Sequence, residues 1–402
     1  MTMEYHQPSL DARSRSPQAK KFPPIPDAAR IHRPRIEQRE TEPVLKIGAA
    51  TKASLEHPER NEDSAYHSLS KGIAFVADGM GGVPAGDYAS GVAASLMSER
   101  ERTRLLVKAS EPDRVMLHKI GSVFNQTRET PLEKSSVENA TKELLLLMNR
   151  KIEETVQTHP LMMEKARPYF LNRLGKAYDE KDPTHRAIMK KVLSTIGTTG
   201  TMTKIWNDTE GKTYVTAGSV GDSRAYILRE GKMIQLTDDH SPLQTLLNAQ
   251  VKDENGAVID GNDIEKTISK EDIARLADDH PELQQLVLRV VNVSGSRVAI
   301  KEIRNMMYLA LGGGSFAKKE MGIDFTPSIS THQLRRGDKI ILATDGLIDN
   351  VSDLDIATTA KTYTGDPARA AQALQEEAAE ISVSKRVRAK KDDVTVIVQE
   401  YT

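Results

Sequence analysis

The 402-residue chain contains no cysteine. That absence excludes disulfides, thiolate metal centres and catalysis through a cysteine nucleophile. No apolar run approaches the ~20 residues of a membrane-spanning helix. The N-terminus lacks the apolar core of a secretory signal, so a soluble, cytoplasmic protein is the expectation. Neither charge is in excess: 56 Lys plus Arg against 57 Asp plus Glu leave a net charge of -1. This argues against a nucleic-acid binder acting through overall charge. What is present is apolar material, 38% of residues, enough for one large domain or two of ordinary size.

Residues 1–44 read as a tail. Seven of the 18 prolines fall there, beside RSRS (Arg13 to Ser16) and Lys20-Lys21, so the segment buries too little apolar surface to offset its ordering entropy. Residues 45–402 read as one domain. GIAFVA (Gly72 to Ala77) is a buried-strand candidate, and AGDYASGVAASLMSER after it has helical spacing. About 101–193 is a helical insertion. Leu144, Leu145, Met148, Ile152 and Val156 form one core-facing stripe there, and Pro131, Pro160 and Pro168 are expected to break the region into several helices.

TYVTAGSV (Thr213 to Val220), RAYIL (Arg224 to Leu228) and KMIQL (Lys232 to Leu236) read as strands, the last two joined by a Glu230-Gly231 hairpin turn. A long polar region, about 241–304, follows. DKIILATDGL and DVTVIV supply the last strands. Between them lie a capping box at Ser352 to Asp355 and a helix opened by Asp366-Pro367. TDDHSPLQTLL and ADDHPELQQLV read as two helix starts with acidic first turns. DENGAVIDGNDIE hints at a calcium loop, but its glycine and closing glutamate miss the required offsets. Strands and helices are segregated, which predicts an α+β fold with antiparallel sheets.

The chemistry is carried by carboxylates at strand ends. Glu62 and Asp63 sit in RNED, Asp78 in VADGMGG, Asp222 in SVGDSRAY, Asp345 in LATDGL and Asp392 in KDDVTVIV. One Asp beside Gly is ordinary turn chemistry. Several gathered at the ends of neighbouring strands can build the oxygen shell that Mg²⁺ or Mn²⁺ takes. Without cations they would repel and raise each other's pKa.

In order along the chain, RNED, VADGMGG with AGDYAS, GTT (Gly197 to Thr199), GDSRAY with LTDDHS, ALGG (Ala310 to Gly313), ATDGLID and KDDVTVIV resemble the metal-dependent protein phosphatases of PP2C (PPM) type, with bacterial-like lettering. The resemblance covers 45–100 and 195–402. It implies a central antiparallel β-sandwich flanked by helices, in four αββα layers. It also implies hydrolysis of phosphoserine and phosphothreonine in proteins with two Mn²⁺ or Mg²⁺ ions and a weaker third. The implied partner is a phosphoprotein substrate met by a monomer, with no nucleic acid or membrane. Asp78 would bridge two ions. Glu62 and the Gly79 carbonyl would serve one ion, Asp345 and Asp392 the other, and Asp63 would hold metal-bound water. Asp222 matches the aspartate of the weaker ion, and Arg224 has a structural place. Gly81 and Gly82 would let the backbone turn into the following helix.

The chain departs from the family in four places. The phosphate-gripping arginine falls closer to the Glu-Asp pair, making Arg60 the candidate, with Lys52 or His57 as substitutes. Met80 replaces the leaving-group histidine of the animal enzymes. His240 is read as part of a capped helix start rather than its replacement. Tyr308-Leu309 stands where a Thr-Arg pair is usual, and 241–304, the flap and its surroundings, is long. The alternative to an active enzyme is a pseudophosphatase that binds a partner through its insertions. A phosphatase of small phosphoesters is a third reading.

Overall fold

The computed structural model describes residues 44–80, 85–175, 177–260, 264–290 and 295–402. The expected tail and the pair Gly81-Gly82 lie outside them. The strands are β1 (Leu45–Lys52), β2 (Asp63–Ser68), β3 (Ile73–Met80), β4 (Gly197–Thr198), β5 (Gly200–Asn207), β6 (Thr213–Val220), β7 (Arg224–Arg229), β8 (Lys232–Gln235), β9 (Thr267–Ser269), β10 (Arg297–Ala299), β11 (Ser328–Gln333), β12 (Lys339–Ala343) and β13 (Val394–Tyr401). They form a five-stranded sheet, β1-β13-β12-β7-β8, and a six-stranded sheet, β11-β6-β5-β3-β2, with β4 added on β3. Every pairing within the two sheets is antiparallel.

Period-two alternation sorts the strand residues into layers. Ala74 and Val76 of β3 pack with Ile227, Ile340, Leu342 and Ile397 between the two sheets. Phe75 and Ala77, on the other face of β3, pack under helices with Leu144, Leu145 and Met148. Ile341, Ala343, Val396 and Val398 face outward from the five-stranded sheet onto Ala371, Leu374 and Ala378 of the helix Pro367–Ser382. The result is helix, sheet, sheet, helix, the expected four-layer α+β sandwich. β13 is buried at every position because it is central in its sheet and covered on both faces.

The Glu230-Gly231 turn has positive φ at both residues, 52° and 84°, as a two-residue hairpin requires. Ser352 caps the helix Asp353–Thr362 and Asp366 caps Pro367–Ser382, as their sequences predict. The predicted stripe on the helix Lys134–Thr158 is buried.

Several expectations need correction. Pro160 opens a helix, but Pro168 lies inside the same helix, Pro160–Leu174, instead of ending it. In TDDHSPLQTLL the cap is Ser241 and the first turn is not acidic, so Asp238 and Asp239 precede the helix Pro242–Asn248. The described part of 241–304 has its own core, in which Leu246, Ile268, Ile273, Leu286 and Ile300 are buried together. Asp253 of the calcium-like stretch accepts from the Asn255 and Ala257 N–H groups and pairs with Lys266, a local turn; residues 261–263 of that stretch lie outside the described residues. No helix among the described residues is long and apolar enough to cross a membrane.

Candidate active site

Strand pairing gathers the carboxylates. β2 and β3 place Asp63 opposite Asp78, with Glu62 just before β2. Asp222 lies in the connection between β6 and β7. Asp345 opens the short helix Asp345–Ile348 after β12, and Asp392 lies two residues before β13, so neither is a strand residue. Because β12 pairs with β13, both still reach the same end of the sandwich. Glu62, Asp78, Gly79, Met80, Asp222, Asp345 and Asp392 line one cleft of about 500 Å³, together with Asn305, Met306, Met307 and Lys390. Met80, Met306 and Met307 also border a largely apolar cavity of about 450 Å³ reaching Phe316 and Met321.

Two predicted residues sit outside that lining. Asp63 is buried behind it, with Oδ2 accepting from the Thr344 hydroxyl at 2.9 Å. Arg60 is partly exposed and pairs with Glu62 Oε1 at 3.3 Å. Of its substitutes, Lys52 is exposed at the end of β1, and His57 donates from Nδ1 to the Arg60 carbonyl at 2.8 Å.

The backbone around Asp78 is pinned on both sides. Its N–H donates to Thr199 Oγ1 (2.9 Å), and its carbonyl accepts from Thr199 N–H (2.8 Å) and the Thr198 hydroxyl (2.7 Å). The GTT motif is thus the clamp on the DG strand end. Gly79 is required for space: a Cβ there would lie 2.2 Å from the Gly86 carbonyl. Asp393, 2% exposed, accepts from the Ser54 and Glu62 N–H groups at 2.6 Å each and so ties the Glu62 loop to β13.

The electrostatics are unbalanced. Burial pushes the Asp63, Asp78 and Asp222 carboxyls well above the usual range, and neighbouring carboxylates push them further. Burial and Asp345 raise Asp392 to about 6. Burial raises Glu62, with Arg60 opposing. Burial would raise Asp345 too, but the Lys390 ammonium holds it below the usual value. Asp63 Oδ1, Asp222 Oδ1 and Asp345 Oδ1 are buried with no hydrogen-bond partner. Buried, unpaired carboxylate oxygens are costly unless a cation meets them, and hard oxygen donors suit Mg²⁺ or Mn²⁺. The residues therefore fit a divalent-cation site. Among the described residues no three His, Asp or Glu are already arranged to hold an ion. The Lys390 ammonium sits among Asp345, Asp349 and Asp392.

Sequence reasoning missed Lys390, Asp349, Asn350 and the Asp393 clamp. The KKDD run held the only local signal, two lysines against two aspartates. His240 is buried. It accepts the Gly221 N–H on Nδ1 (3.3 Å) and therefore donates from Nε2 to the Thr326 carbonyl (2.9 Å). It precedes the Ser241 cap and does not line the cleft. Arg224 forks onto Asp239, with Nη2 2.7 Å from Oδ2, which gives it the structural place expected.

Comparison with known proteins bears on family and fold. The family model "Protein phosphatase 2C" matches residues 141–387. Probable protein phosphatase 2C 61 of Arabidopsis thaliana is 26% identical over 189 residues, 46% of this chain and 49% of the plant protein. The chain thus spans about half the length of that relative. Among solved structures, the serine/threonine phosphatase Stp1 from Staphylococcus aureus is 19% identical with a TM-score of 0.52, covering 89% of this chain and 95% of that one. A bacterial serine phosphatase is 18% identical with a TM-score of 0.51, covering 88% and 97%. These two share the fold. With the family model matching more than half of its residues, the chain belongs to the protein phosphatase 2C family.

Proposed function

We propose that the chain is a Mn²⁺- or Mg²⁺-dependent protein serine/threonine phosphatase. The observation that carries this is the convergence of Glu62, Asp78, Asp222, Asp345 and Asp392 on one cleft, with buried oxygens left unpartnered. Glu62, Asp78, Asp345, Asp392 and the Gly79 carbonyl would hold two divalent cations, and Asp222 a weaker third. When bound, such cations supply charge that acidifies water and neutralises phosphoryl oxygens.

The chain's own residues do the rest. Asp63, one strand from Asp78, keeps Oδ1 free while Thr344 fixes Oδ2. That unpartnered Oδ1 is the oxygen placed to accept a proton from water. Arg60, beside Glu62, is the guanidinium assigned to the phosphoryl oxygens. Without cysteine the route involves no cysteinyl phosphate.

A cytoplasmic monomer acting on phosphoproteins goes with this reading. A panel of phosphoserine and phosphothreonine peptides, run against small phosphate metabolites, tests the substrate class; release from metabolites alone would overturn it. A second reading, a cation-binding protein without turnover, is favoured by the engagement of Arg60 with Glu62 and of Lys390 with Asp345 and Asp392. It predicts cation binding with no hydrolysis of any member of the panel.

A further inference from the structure

The largely apolar cavity of about 450 Å³ has no part in the chemistry described above. It is continuous with the acidic cleft, because Met80, Met306 and Met307 line both. Met80 ends β3, two residues after Asp78, or about 7 Å along the strand. An extended peptide advances by ~3.3 Å per residue. A side chain two or three residues from a phosphoryl group held at Asp78 therefore falls at the cavity.

The walls of the cavity differ. The inner wall is pinned. Thr198 N–H donates to the Leu311 carbonyl at 3.0 Å, and Leu311 N–H donates back to the Thr198 carbonyl at 2.9 Å. Asn149 Oδ1 accepts from the Gly312 and Gly314 N–H groups at 2.8 and 3.2 Å, and Glu153 Oε1 accepts from the Ser315 N–H at 2.7 Å. The turn ahead of Phe316 is thus fastened to the helix Lys134–Thr158. The wall shared with the cleft is made of three partly exposed methionines, whose unbranched thioethers reshape around varied apolar groups. Lys191 and Glu320, both exposed, pair at 3.7 Å on the lining and give it a polar edge.

A preformed apolar recess of this size with a polar edge is the form of a ligand pocket. Its place narrows the ligand. A free small molecule gains nothing from continuity with an acidic cleft, whereas a side chain on the peptide that carries the phosphoryl group does.

We propose that the cavity is a specificity pocket for the phosphoprotein substrate. It takes a bulky apolar side chain two or three residues from the phosphorylated Ser or Thr, and Phe316 and Met321 set the depth it can reach. The proposal rests on the phosphatase reading of the cleft given above.

The test uses fluorescently labelled phosphothreonine peptides in an alanine background. A single Phe is placed in turn at each of the three positions on either side of the phosphothreonine, and an all-alanine peptide is the reference. In the wild type with Mn²⁺, Phe two or three residues away on one side should raise kcat/KM about tenfold or more over the reference, the scale of an apolar side chain read by a pocket. Met321→Trp fills the far end and should bring that ratio to within about twofold of one. A ratio taken within one variant cancels any general loss of activity. Wild-type ratios near one at those positions on both sides overturn the proposal, and would fit a cavity held by another segment of the chain or by a small regulator. So does a preference that survives in a folded Met321→Trp. If Met321→Trp does not fold, Phe316→Ala decides: a widened pocket should favour a Trp peptide over the Phe peptide more than the wild type does, and an unchanged Trp-to-Phe ratio overturns the proposal. If no peptide is hydrolysed, the phosphatase reading fails, and the same ratios taken in Kd by fluorescence anisotropy decide the pocket.

Discussion

Asp63 and Asp78 stand directly opposite each other in the antiparallel register of β2 and β3, and among the described residues neither forms an ion pair with Lys, Arg or His. Burial raises both carboxyls well above the usual range, as it does Asp222, and Asp392 is raised to about 6. An acid whose folded pKa is raised binds protons more tightly folded than unfolded. Its contribution to stability is present below the unfolded value and lost as pH rises through the folded one. Asp345, held low by Lys390 against the effect of burial, works the other way and loses its contribution on acidification. With Glu62, also raised by burial, five raised groups of the cleft outnumber it. In chelator, the thermal midpoint should fall as pH rises from about 4 towards 7, and Mn²⁺ should restore it at pH 7. A chelated protein that gains stability steadily over that range would contradict the assignment.

Asp393 accepts two backbone N–H groups, that of buried Ser54 and that of half-buried Glu62. Asp393→Ala should lower stability by about 2–4 kcal/mol, the cost of leaving buried donors unsatisfied, read by urea unfolding. Asp393→Asn keeps an acceptor and should lose less. Equal losses in the two variants would show that the side chain only fills space.

Gly79→Ala should be more damaging than its single methyl suggests. The new Cβ would lie 2.2 Å from the Gly86 carbonyl and 2.7 Å from that of Glu62, and backbone on both sides cannot swing away as a side chain could. A loss of about 1–3 kcal/mol or more is expected, with weaker Mn²⁺ binding because Glu62 is displaced. Wild-type stability and Mn²⁺ affinity together would mean that the helix Gly86–Leu96 is free to shift.

Arg224 and Asp239 form a buried forked pair. Arg224→Ala leaves Asp239 without a counter-charge and should cost about 3 kcal/mol or more. Activity per folded molecule should be retained, because the arginine does not line the cleft. A stable variant that loses turnover would move Arg224 from support to chemistry.

The sequence made the strand ends legible because each acidic residue follows a run of β-formers or precedes one. Glu62, Asp78, Asp222, Asp345 and Asp392 meet as expected. Their local settings were harder to read. Asp345 opens a helix and Asp392 precedes β13, since a DG or DD pair marks the end of regular pairing without saying which element it joins. Pro168 could not be read as helical because its cost depends on packing that a sequence does not show. Lys390 was invisible for a similar reason. Asp345 and Asp349 are distant from Lys390 in sequence, and the β12–β13 pairing with the Asn350 clamp brings the lysine among them. The small core within 241–304 escaped notice because its apolar residues are spread thinly through a polar stretch.

The most direct test of the central claim is release from a chromogenic aryl phosphate with Mn²⁺, with Mg²⁺ and with excess chelator, for the wild type and Asp78→Asn. The account predicts cation-dependent release by the wild type, abolished by chelator. It predicts release at the chelator background for a folded Asp78→Asn. Cation-dependent release that survives in Asp78→Asn would contradict it.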